Sequence, residues 1–207
     1  RDDQQLNWVA TPNGFSLMEH RNHAVRFLPL TTASDKEGNN RMTSVWYDDS
    51  LQLYFVTATQ PAGVFLLDKK SGQIKQVQTD ASGKQLPPCL SIKKVDGTIW
   101  LLTSSAVYRY QTSTGTFKPF STPFDIAGVQ FNDVQEDAWG NTWFSTFGEG
   151  VFYFSALHNE FRRIVTSADT FLLKGATALE ADGNGQVMWI STYGSDLHRY
   201  HISTQTM

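Results

Sequence analysis

The sequence has little cysteine, no long apolar run and no excess of either charge. Its 207 residues include one cysteine, Cys89, which excludes an internal disulfide framework and the paired thiols of zinc ribbons and redox motifs. No stretch approaches the roughly 18 consecutive apolar residues of a membrane span, and the first residues, RDDQQLNW, contain no apolar signal core. The 17 Lys and Arg and 20 Asp and Glu are scattered, so no basic footprint for nucleic acid is present. We therefore expect a soluble chain that contacts neither nucleic acid nor membrane.

Aromatic residues, by contrast, are plentiful, and they form an internal repeat. An aromatic residue followed three positions later by threonine occurs five times, at intervals of 46, 46, 43 and 46 residues. The five pairs are Trp8 with Thr11, Tyr54 with Thr57, Trp100 with Thr103, Trp143 with Thr146, and Trp189 with Thr192. Further short apolar stretches follow each pair, and a short alternating run precedes four of them. Each unit is therefore predicted to contain four short β-strands.

Turn residues separate these strands at matching places. Between strands one and two, where a tight hairpin requires positive φ, the sequence has Asp96-Gly97, Gly140-Asn141 and Asp182-Gly183-Asn184. Between strands three and four it has Ser71-Gly72, Thr114-Gly115 and His158-Asn159. The units are thus predicted to be antiparallel meanders, and no segment has a convincing helical pattern.

Four-stranded repeats of about 45 residues predict an all-β fold, the β-propeller, in which neighbouring blades bury each other's faces. The repeated aromatic residues are expected to fill the space between blades. The predicted blades are 1–30 (partial), 41–79, 88–121, 131–166 and 176–207 (partial), forming a single propeller region.

The first unit lacks its first strand and the last lacks its fourth. We therefore expect about five blades of a larger propeller of the seven-bladed type, the alternative being a closed five-bladed ring with a defective blade. Exposed strand edges would make such a segment prone to self-association or early melting.

Two stretches, VQEDAWGNTWFSTFGEGVFYF and LEADGNGQVMWISTYGSDLHRY, carry a resemblance to a known family. They resemble the two-component regulator propeller repeat, whose pattern is eDxxGniWigTxxgGlxry. In the first stretch the matching residues are Glu136, Asp137, Gly140, Asn141, Trp143, Thr146, Gly148, Gly150 and Val151. In the second they are Asp182, Gly183, Trp189, Ile190, Thr192, Gly194, Leu197, Arg199 and Tyr200. Residues 1–60 match less well, since Tyr54 replaces the tryptophan.

The resemblance implies a context. Such repeats form the periplasmic sensor region of bacterial hybrid two-component histidine kinase/response regulators, ahead of a β-sandwich, a membrane helix and the kinase. Several members respond to oligosaccharides. The resemblance therefore implies a non-catalytic, periplasmic ligand-sensing module without cofactor or metal. Its partners would be an oligosaccharide or other small ligand, the remaining blades of the parent chain and, in one alternative, a second copy of itself.

In a propeller, the loops between strands two and three share one face with the connections between blades. Rigid strands there hold variable loops, which favours ligand binding. The predicted ligand contacts on this face are Phe147, Glu149, Tyr193, Asp196, Arg41 and Asn132. Aromatic faces beside carboxylates and amides suit sugars, whereas the alternative is that these are ordinary solvated loop residues.

Three other patterns are better explained by structure than by chemistry. The histidines of MEHRNH (His20, His23) and HRYH (His198, His201) are spaced three apart, which on a strand sends them to opposite faces, so no metal site is predicted. Ser91 and Lys94 match a Ser-x-x-Lys pattern but lie on a predicted strand rather than on one helical turn. The run 182–186 lacks the alternating carboxylates of a calcium loop.

Two other functions remain open. Streptogramin-inactivating lyases share a similar repeat, but they need a histidine and a metal-binding acid near the channel. Here all five histidines, including His158, fall on third strands or the loops that follow. A scaffold for dimerisation or protein docking would use aromatic residues of the outer strands, such as Phe117, Phe120 and Phe161, although these could equally stabilise neighbouring blades.

Overall fold

The computed structural model describes residues 41–121, 129–155, 157–164, 173–194 and 197–207 in full, and the backbone of 6–11, 14–19 and 24–29. All its described regular elements are β-strands, arranged as five antiparallel sheets that we number blades 1 to 5. No helix long and apolar enough to cross a membrane occurs in this part of the chain.

Blades 1 to 3 occupy the first part of the sequence. Blade 1 consists of β1 (Leu6–Thr11), β2 (Gly14–Glu19) and β3 (Ala24–Pro29). Blade 2 consists of β4 (Arg41–Asp48), β5 (Leu53–Gln60), β6 (Ala62–Asp68) and β7 (Ile74–Val77). Blade 3 consists of β8 (Cys89–Val95), β9 (Thr98–Thr103), β10 (Val107–Gln111) and β11 (Thr116–Pro119).

Blades 4 and 5 follow. Blade 4 consists of β12 (Gln130–Glu136), β13 (Asn141–Phe147), β14 (Gly150–Ser155) and β15 (Glu160–Arg163). Blade 5 consists of β16 (Ala176–Ala181), β17 (Val187–Thr192) and β18 (Leu197–His201). Each strand pairs with its neighbour in sequence, so the predicted four-stranded meander is confirmed in blades 2 to 4. In the described residues blade 1 has the predicted strands two to four, and blade 5 strands one to three.

The turns follow their residue chemistry. Asp96, Gly97, Gly140 and Asn159 adopt positive φ, as predicted. In the first turn of blade 5 the residue with positive φ is Gly185 (63°), one position beyond the predicted run Asp182-Gly183-Asn184.

The chain divides into two compact units, and the first comprises Arg1–Ile92 with Gln111–Lys118. Its core includes Tyr54 and Val56 on β5 and Phe65 and Leu67 on β6. Cys89 is buried, and this burial raises the pKa of its thiol to about 12. Cys89, the first residue of β8, is thus a packed strand residue.

The second unit comprises Lys93–Tyr110 with Pro119–Met207 and contains two apolar clusters. Phe144 packs with Trp100 between blades 3 and 4, their ring centroids 5.3 Å apart. Trp143, which points to the opposite face of β13, packs against Met188 and Ile190 of blade 5. The central strand of blade 4 is therefore buried on both faces, as its continuous apolar run requires.

The repeated aromatic residues mostly behave as predicted. Tyr54, Trp100 and Trp143 are buried, whereas the side chain of Trp8 lies outside the described residues. Trp189 is 36% exposed, so the prediction that it packs between blades stays a prediction. In blade 5 this side chain faces away from blade 4, and among the described residues the guanidinium of Arg199, 5.9 Å from the ring centroid, lies over it.

Neighbouring blades are linked by polar side chains on their first strands. Register shifts produce bulges around Thr43 in β4 and Asn132 in β12. Thr43 Oγ1 donates to the carbonyl of Cys89, and Asn132 Nδ2 donates to that of Ala176, both over 2.7 Å. A polar residue in the bulge of one first strand thus binds the next first strand.

Asp133 adds a second link within unit 2. Its carboxylate accepts a hydrogen bond from the backbone N–H of Leu179 over 2.9 Å and lies 3.5 Å from Lys93 Nζ. Lys93, Asp133 and Leu179 belong to β8, β12 and β16. One carboxylate therefore ties together the first strands of three blades.

Candidate functional site

Two exposed aromatic residues, at the ends of β13 and β17, pair through their backbones with the same residue, Gly175. Phe147 is 53% exposed and forms an isolated β-bridge with Gly175. Tyr193 is 78% exposed, and its backbone N–H donates to the carbonyl of Gly175 over 2.8 Å. The segment before β16 therefore brings both predicted ligand residues together; we call Phe147, Glu149, Gly175 and Tyr193 the Phe147–Tyr193 surface.

The repeated threonine shapes the loop that carries Phe147. Thr146 is buried, and its Oγ1 donates to the carbonyl of Gly150 over 2.7 Å, closing the loop between β13 and β14. Gly148 (φ 104°) turns the chain away from the strand, and its N–H donates to the carbonyl of Lys174 over 2.5 Å. Because the loop is fixed in this way, Phe147 is held outward at the end of the strand.

The same threonine position is used in other blades. Thr103 Oγ1 donates to the carbonyl of Ala106 over 2.7 Å, while Thr57 and Thr192 are buried and Thr11 lies outside the residues whose side chains are described. The hydroxyl of Thr57 instead donates to the carbonyl of Ser44 on β4 over 3.3 Å. The threonine of the pattern thus closes the following loop in blades 3 and 4.

Two other predicted ligand residues of unit 2 already have partners within the protein. Glu149 Oε2 lies 3.4 Å from Arg163 Nη2, in a partly exposed ion pair that contributes little to stability. The amide of Asn132 donates to Ala176 and accepts from Gln130 Nε2 over 2.7 Å. Ligand binding by Asn132 stays a prediction, and its structural role went unrecognised because a bulge leaves no mark in the residue pattern.

The remaining two predicted contacts lie elsewhere. Arg41 is exposed at the start of β4 in unit 1, and its carbonyl accepts from Thr59 Oγ1 over 3.4 Å. Asp196 lies outside the described residues.

The first turn of blade 4 is organised by Asp137, which matches the repeat pattern but was assigned no role from the sequence. The carboxylate of Asp137 accepts from the backbone N–H groups of Trp139 (2.9 Å) and Asn141 (3.0 Å) and from Trp143 Nε1 (2.8 Å). In blade 5, Asp182 Oδ1 likewise accepts from the backbone N–H of Val187 over 3.0 Å. The available signal was the aspartate that begins the turn in both strong repeats.

The other candidate chemical groups serve the fold. Among the described residues, no group of three or more His, Cys, Asp or Glu side chains could hold a metal ion. His158 Nδ1 lies 3.2 Å from Ser155 Oγ, and His198 Nε2 lies 3.3 Å from Thr192 Oγ1. His20 and His23 lie outside the described residues. Ser91 and Lys94 lie on strand β8, as predicted.

The aromatic residues considered for a docking scaffold contribute to packing. Phe117 is fully buried. Phe120 packs edge-on against Trp100, with ring centroids 5.0 Å apart, and tilts against Phe161 at 5.5 Å. Of the two roles left open for them, stabilisation of the blades is the one that the contacts support.

The known proteins that resemble this chain are solved structures. No family model matches the chain, and no curated protein matches it. The extracellular domain of a proposed one-component system from B. thetaiotaomicron is similar over 100% of this chain and 26% of its own, at 17% identity and a TM-score of 0.75. The extracellular domain of a proposed hybrid two-component system from the same organism is similar over 94% of this chain and 25% of its own length, at 16% identity and a TM-score of 0.73.

An enzyme shares the fold as well. Virginiamycin B lyase from Staphylococcus aureus is similar over 97% of this chain and 67% of its own, at 12% identity and a TM-score of 0.68. The likenesses confirm the predicted all-β propeller fold, and the family resemblance of the repeats agrees with the first two structures. The chain spans about a quarter of the length of those two extracellular domains.

Proposed function

We propose that this chain is part of an extracytoplasmic, non-catalytic ligand-sensing propeller of a two-component signalling protein. The observation that carries the proposal is the similarity of nearly the whole chain to the extracellular domains of two proposed bacterial signalling systems, one of them a hybrid two-component system. The repeat pattern supports the same context independently, since it was recognised from residues alone. In this proposal the location is the periplasm, and the kinase belongs to the parent protein.

The Phe147–Tyr193 surface is the proposed ligand site. Two exposed aromatic rings on a fixed backbone offer flat apolar faces, and the Glu149–Arg163 ion pair provides a hydrogen-bond acceptor and donor beside them. Stacking of sugar rings on aromatic faces combined with hydrogen bonds to their hydroxyl groups is the chemistry of oligosaccharide binding. An oligosaccharide is therefore the proposed ligand class.

Titration calorimetry with hexasaccharides, among them maltohexaose, cellohexaose and a hyaluronan hexasaccharide, tests the site. We expect Phe147→Ala and Tyr193→Ala each to weaken binding about tenfold, since loss of one stacking contact is worth roughly 1–3 kcal/mol. Ile74→Ala, an exposed apolar residue of unit 1, is the control. If both surface variants bind as the wild type does, the assignment of this surface is wrong.

The similarity to virginiamycin B lyase supports a second candidate, a lyase that acts on virginiamycin B. The positions of two histidines speak against it, because His158 in the loop after β14 and His201 at the end of β18 lie at the opposite end of the strands from the loops between second and third strands. Incubation with virginiamycin B followed by mass spectrometry is expected to return the intact antibiotic. Time-dependent conversion would replace the sensor proposal with the enzymatic one.

A further inference from the structure

A groove lies at the other end of β13, in the turns between strands one and two and between strands three and four. It consists of two adjoining clefts of about 350 and 270 Å³ that share Trp139, Asn141 and Tyr153. The larger falls within the range of roughly 300–1,000 Å³ typical of small-molecule sites. The larger cleft is also lined by Trp143, Tyr200, Ile202, Ser203 and Gln205. We call the residues of both clefts the Trp139 groove.

Trp139 lies in a turn whose backbone is fixed by hydrogen bonds. Its indole is 51% exposed, although a large apolar side chain normally avoids water. Its backbone N–H is fixed by Asp137, and the preceding N–H, that of Ala138, donates to the carbonyl of Gly185 in blade 5 over 3.0 Å. In the described part of the chain, the indole stacks on no other ring. The backbone of the turn is therefore already ordered. A ligand that stacks on the exposed indole costs the protein little further backbone entropy.

The neighbouring side chains are held as firmly. Asn141 Nδ2 donates to Asp137 Oδ2 over 2.9 Å. Tyr153 stacks on Trp143, with ring centroids 5.1 Å apart and an interplanar angle of 24°. The floor of the larger cleft is thus an ordered aromatic surface with an amide at its edge.

The lining of the groove indicates the class of ligand. No charged side chain lines the larger cleft, which combines aromatic rings with the amides of Asn141 and Gln205 and the hydroxyl of Ser203. In the smaller cleft Arg162 and Glu160 are 3.0 Å apart and neutralise each other. An uncharged ligand with apolar C–H faces and many hydroxyl groups fits this lining. We propose that the Trp139 groove binds a neutral oligosaccharide whose sugar ring stacks on Trp139.

This groove is separate from the Phe147–Tyr193 surface. Asn141 begins β13 and Phe147 ends it, and a strand of that length spans about 20 Å at roughly 3.3 Å per residue. Each site can therefore be occupied or lost without the other.

Titration calorimetry with maltohexaose, cellohexaose and mannohexaose tests the groove in four proteins: wild type, Trp139→Ala, Trp139→Phe and Phe147→Ala. We expect at least one hexasaccharide to bind in the groove of both the wild type and Phe147→Ala. Trp139→Ala should weaken that binding event about tenfold or more and leave any binding at the Phe147–Tyr193 surface in place. Trp139→Phe should restore part of the affinity because it retains an aromatic face, and Phe147→Ala should not change binding in the groove. Thermal unfolding of each variant shows that the fold is intact, and Gln205→Ala, with an expected loss of a few-fold, provides a second probe.

Three results would overturn the proposal. One is that none of the three hexasaccharides binds. A second is that Phe147→Ala abolishes all binding while Trp139→Ala leaves it unchanged, which places the sugar at the other surface. The third is that decaproline binds in a Trp139-dependent manner while the sugars do not, since aromatic grooves also accept polyproline helices.

Discussion

Strands β13 and β17 occupy the same place in consecutive repeats, yet their tryptophans differ. Trp143 on β13 is 1% exposed, whereas Trp189 on β17 is 36% exposed. Each lies opposite a third-strand residue in the register, Tyr153 for Trp143 and Arg199 for Trp189. The motif therefore specifies the strand and its register, but not the environment of its central side chain.

The difference arises from the neighbours of each blade. β13 has Phe144 packed toward blade 3 and Trp143 packed toward blade 5, so both of its faces are covered. β17 buries Met188 and Ile190 against blade 4 and turns Trp189 the other way. A repeat of this kind is stabilised by its neighbours, as expected for stacked repeats, and substitutions at equivalent positions should have unequal effects.

The largest expected difference is between the two tryptophans. Trp143→Ala removes a buried ring and its hydrogen bond to Asp137, so it should lower the free energy of unfolding by about 3–5 kcal/mol. Trp189→Ala removes a partly exposed ring that contacts Arg199, and should cost about 0.5–1 kcal/mol. Urea unfolding of the two variants beside the wild type measures both values. Equal losses would mean that Trp189 is as buried in solution as Trp143.

The turn aspartates should differ in the same direction. Asp137 accepts hydrogen bonds from two backbone N–H groups, Asn141 Nδ2 and Trp143 Nε1, whereas Asp182 accepts two from backbone N–H groups. Asp137→Ala is expected to cost about 2–4 kcal/mol and Asp182→Ala about 1–2 kcal/mol, because buried donors lose their acceptor. Urea unfolding again provides the measurement.

Intrinsic tryptophan fluorescence gives an independent check on the Asp137 prediction. Loss of Asp137 should change the environment of Trp143 as well as stability, while loss of Asp182 should leave the emission of Trp143 unchanged. If Asp182→Ala lowers the free energy of unfolding more than Asp137→Ala does, the additional hydrogen bonds of Asp137 contribute less to stability than we expect.

Most of the fold could be predicted from the residues because the signals are local. Asp96-Gly97 and His158-Asn159 can adopt left-handed backbone conformations wherever they occur, so their turns were identified correctly. The exception is instructive: the run 182–185 contains two glycines, and the one with positive φ, Gly185, is the one that lies against Ala138 of blade 4. The sequence of a single repeat does not show which of its residues will contact the neighbouring blade.

Substitution of these two glycines isolates that contact. A Cβ on Gly185 would lie 2.6 Å from the backbone nitrogen of Ala138 and would also require a left-handed residue, so Gly185→Ala should cost about 1–3 kcal/mol. Gly183→Ala is the matched control, because a Cβ there meets nothing within 4 Å and its φ is not positive. Thermal unfolding should show the first variant melting earlier than the second, and coincident curves would contradict the close approach of the two turns.

The candidate site was only partly predictable. The loop positions of Phe147 and Tyr193 followed from the spacing of the repeat, whereas ligand binding by these residues stays a prediction. The amide of Asn132 was assigned to a ligand because the bulge that directs it to Ala176 arises from strand pairing. Trp139 lies in the turns at the opposite strand ends from the predicted ligand face. The sequence shows the tryptophan, but its exposure follows only from the folded structure.

The smallest expected effect concerns Glu136, whose equivalent in blade 5 is Ala181, as the registers of the two blades show. Burial raises the pKa of Glu136, and the negative charges of Asp96 and Asp137 raise it further. A folded-state pKa above the unfolded one stabilises the fold below the unfolded pKa, and this contribution is lost as pH rises through the folded value. Glu136→Gln should therefore leave the free energy of unfolding unchanged at about pH 4 and increase it by at most about 0.5 kcal/mol at pH 8.

A double-mutant cycle separates the charge from other effects of the Glu136 substitution. Asp96→Asn removes one of the two repelling carboxylates while keeping the turn, because asparagine also tolerates the left-handed conformation that Asp96 adopts (φ 45°). It should increase the free energy of unfolding at pH 8 in the wild type more than in the Glu136→Gln background. Equal increases in both backgrounds would show that the carboxylates of Asp96 and Glu136 do not interact, which leaves burial and Asp137 as the causes of the raised pKa.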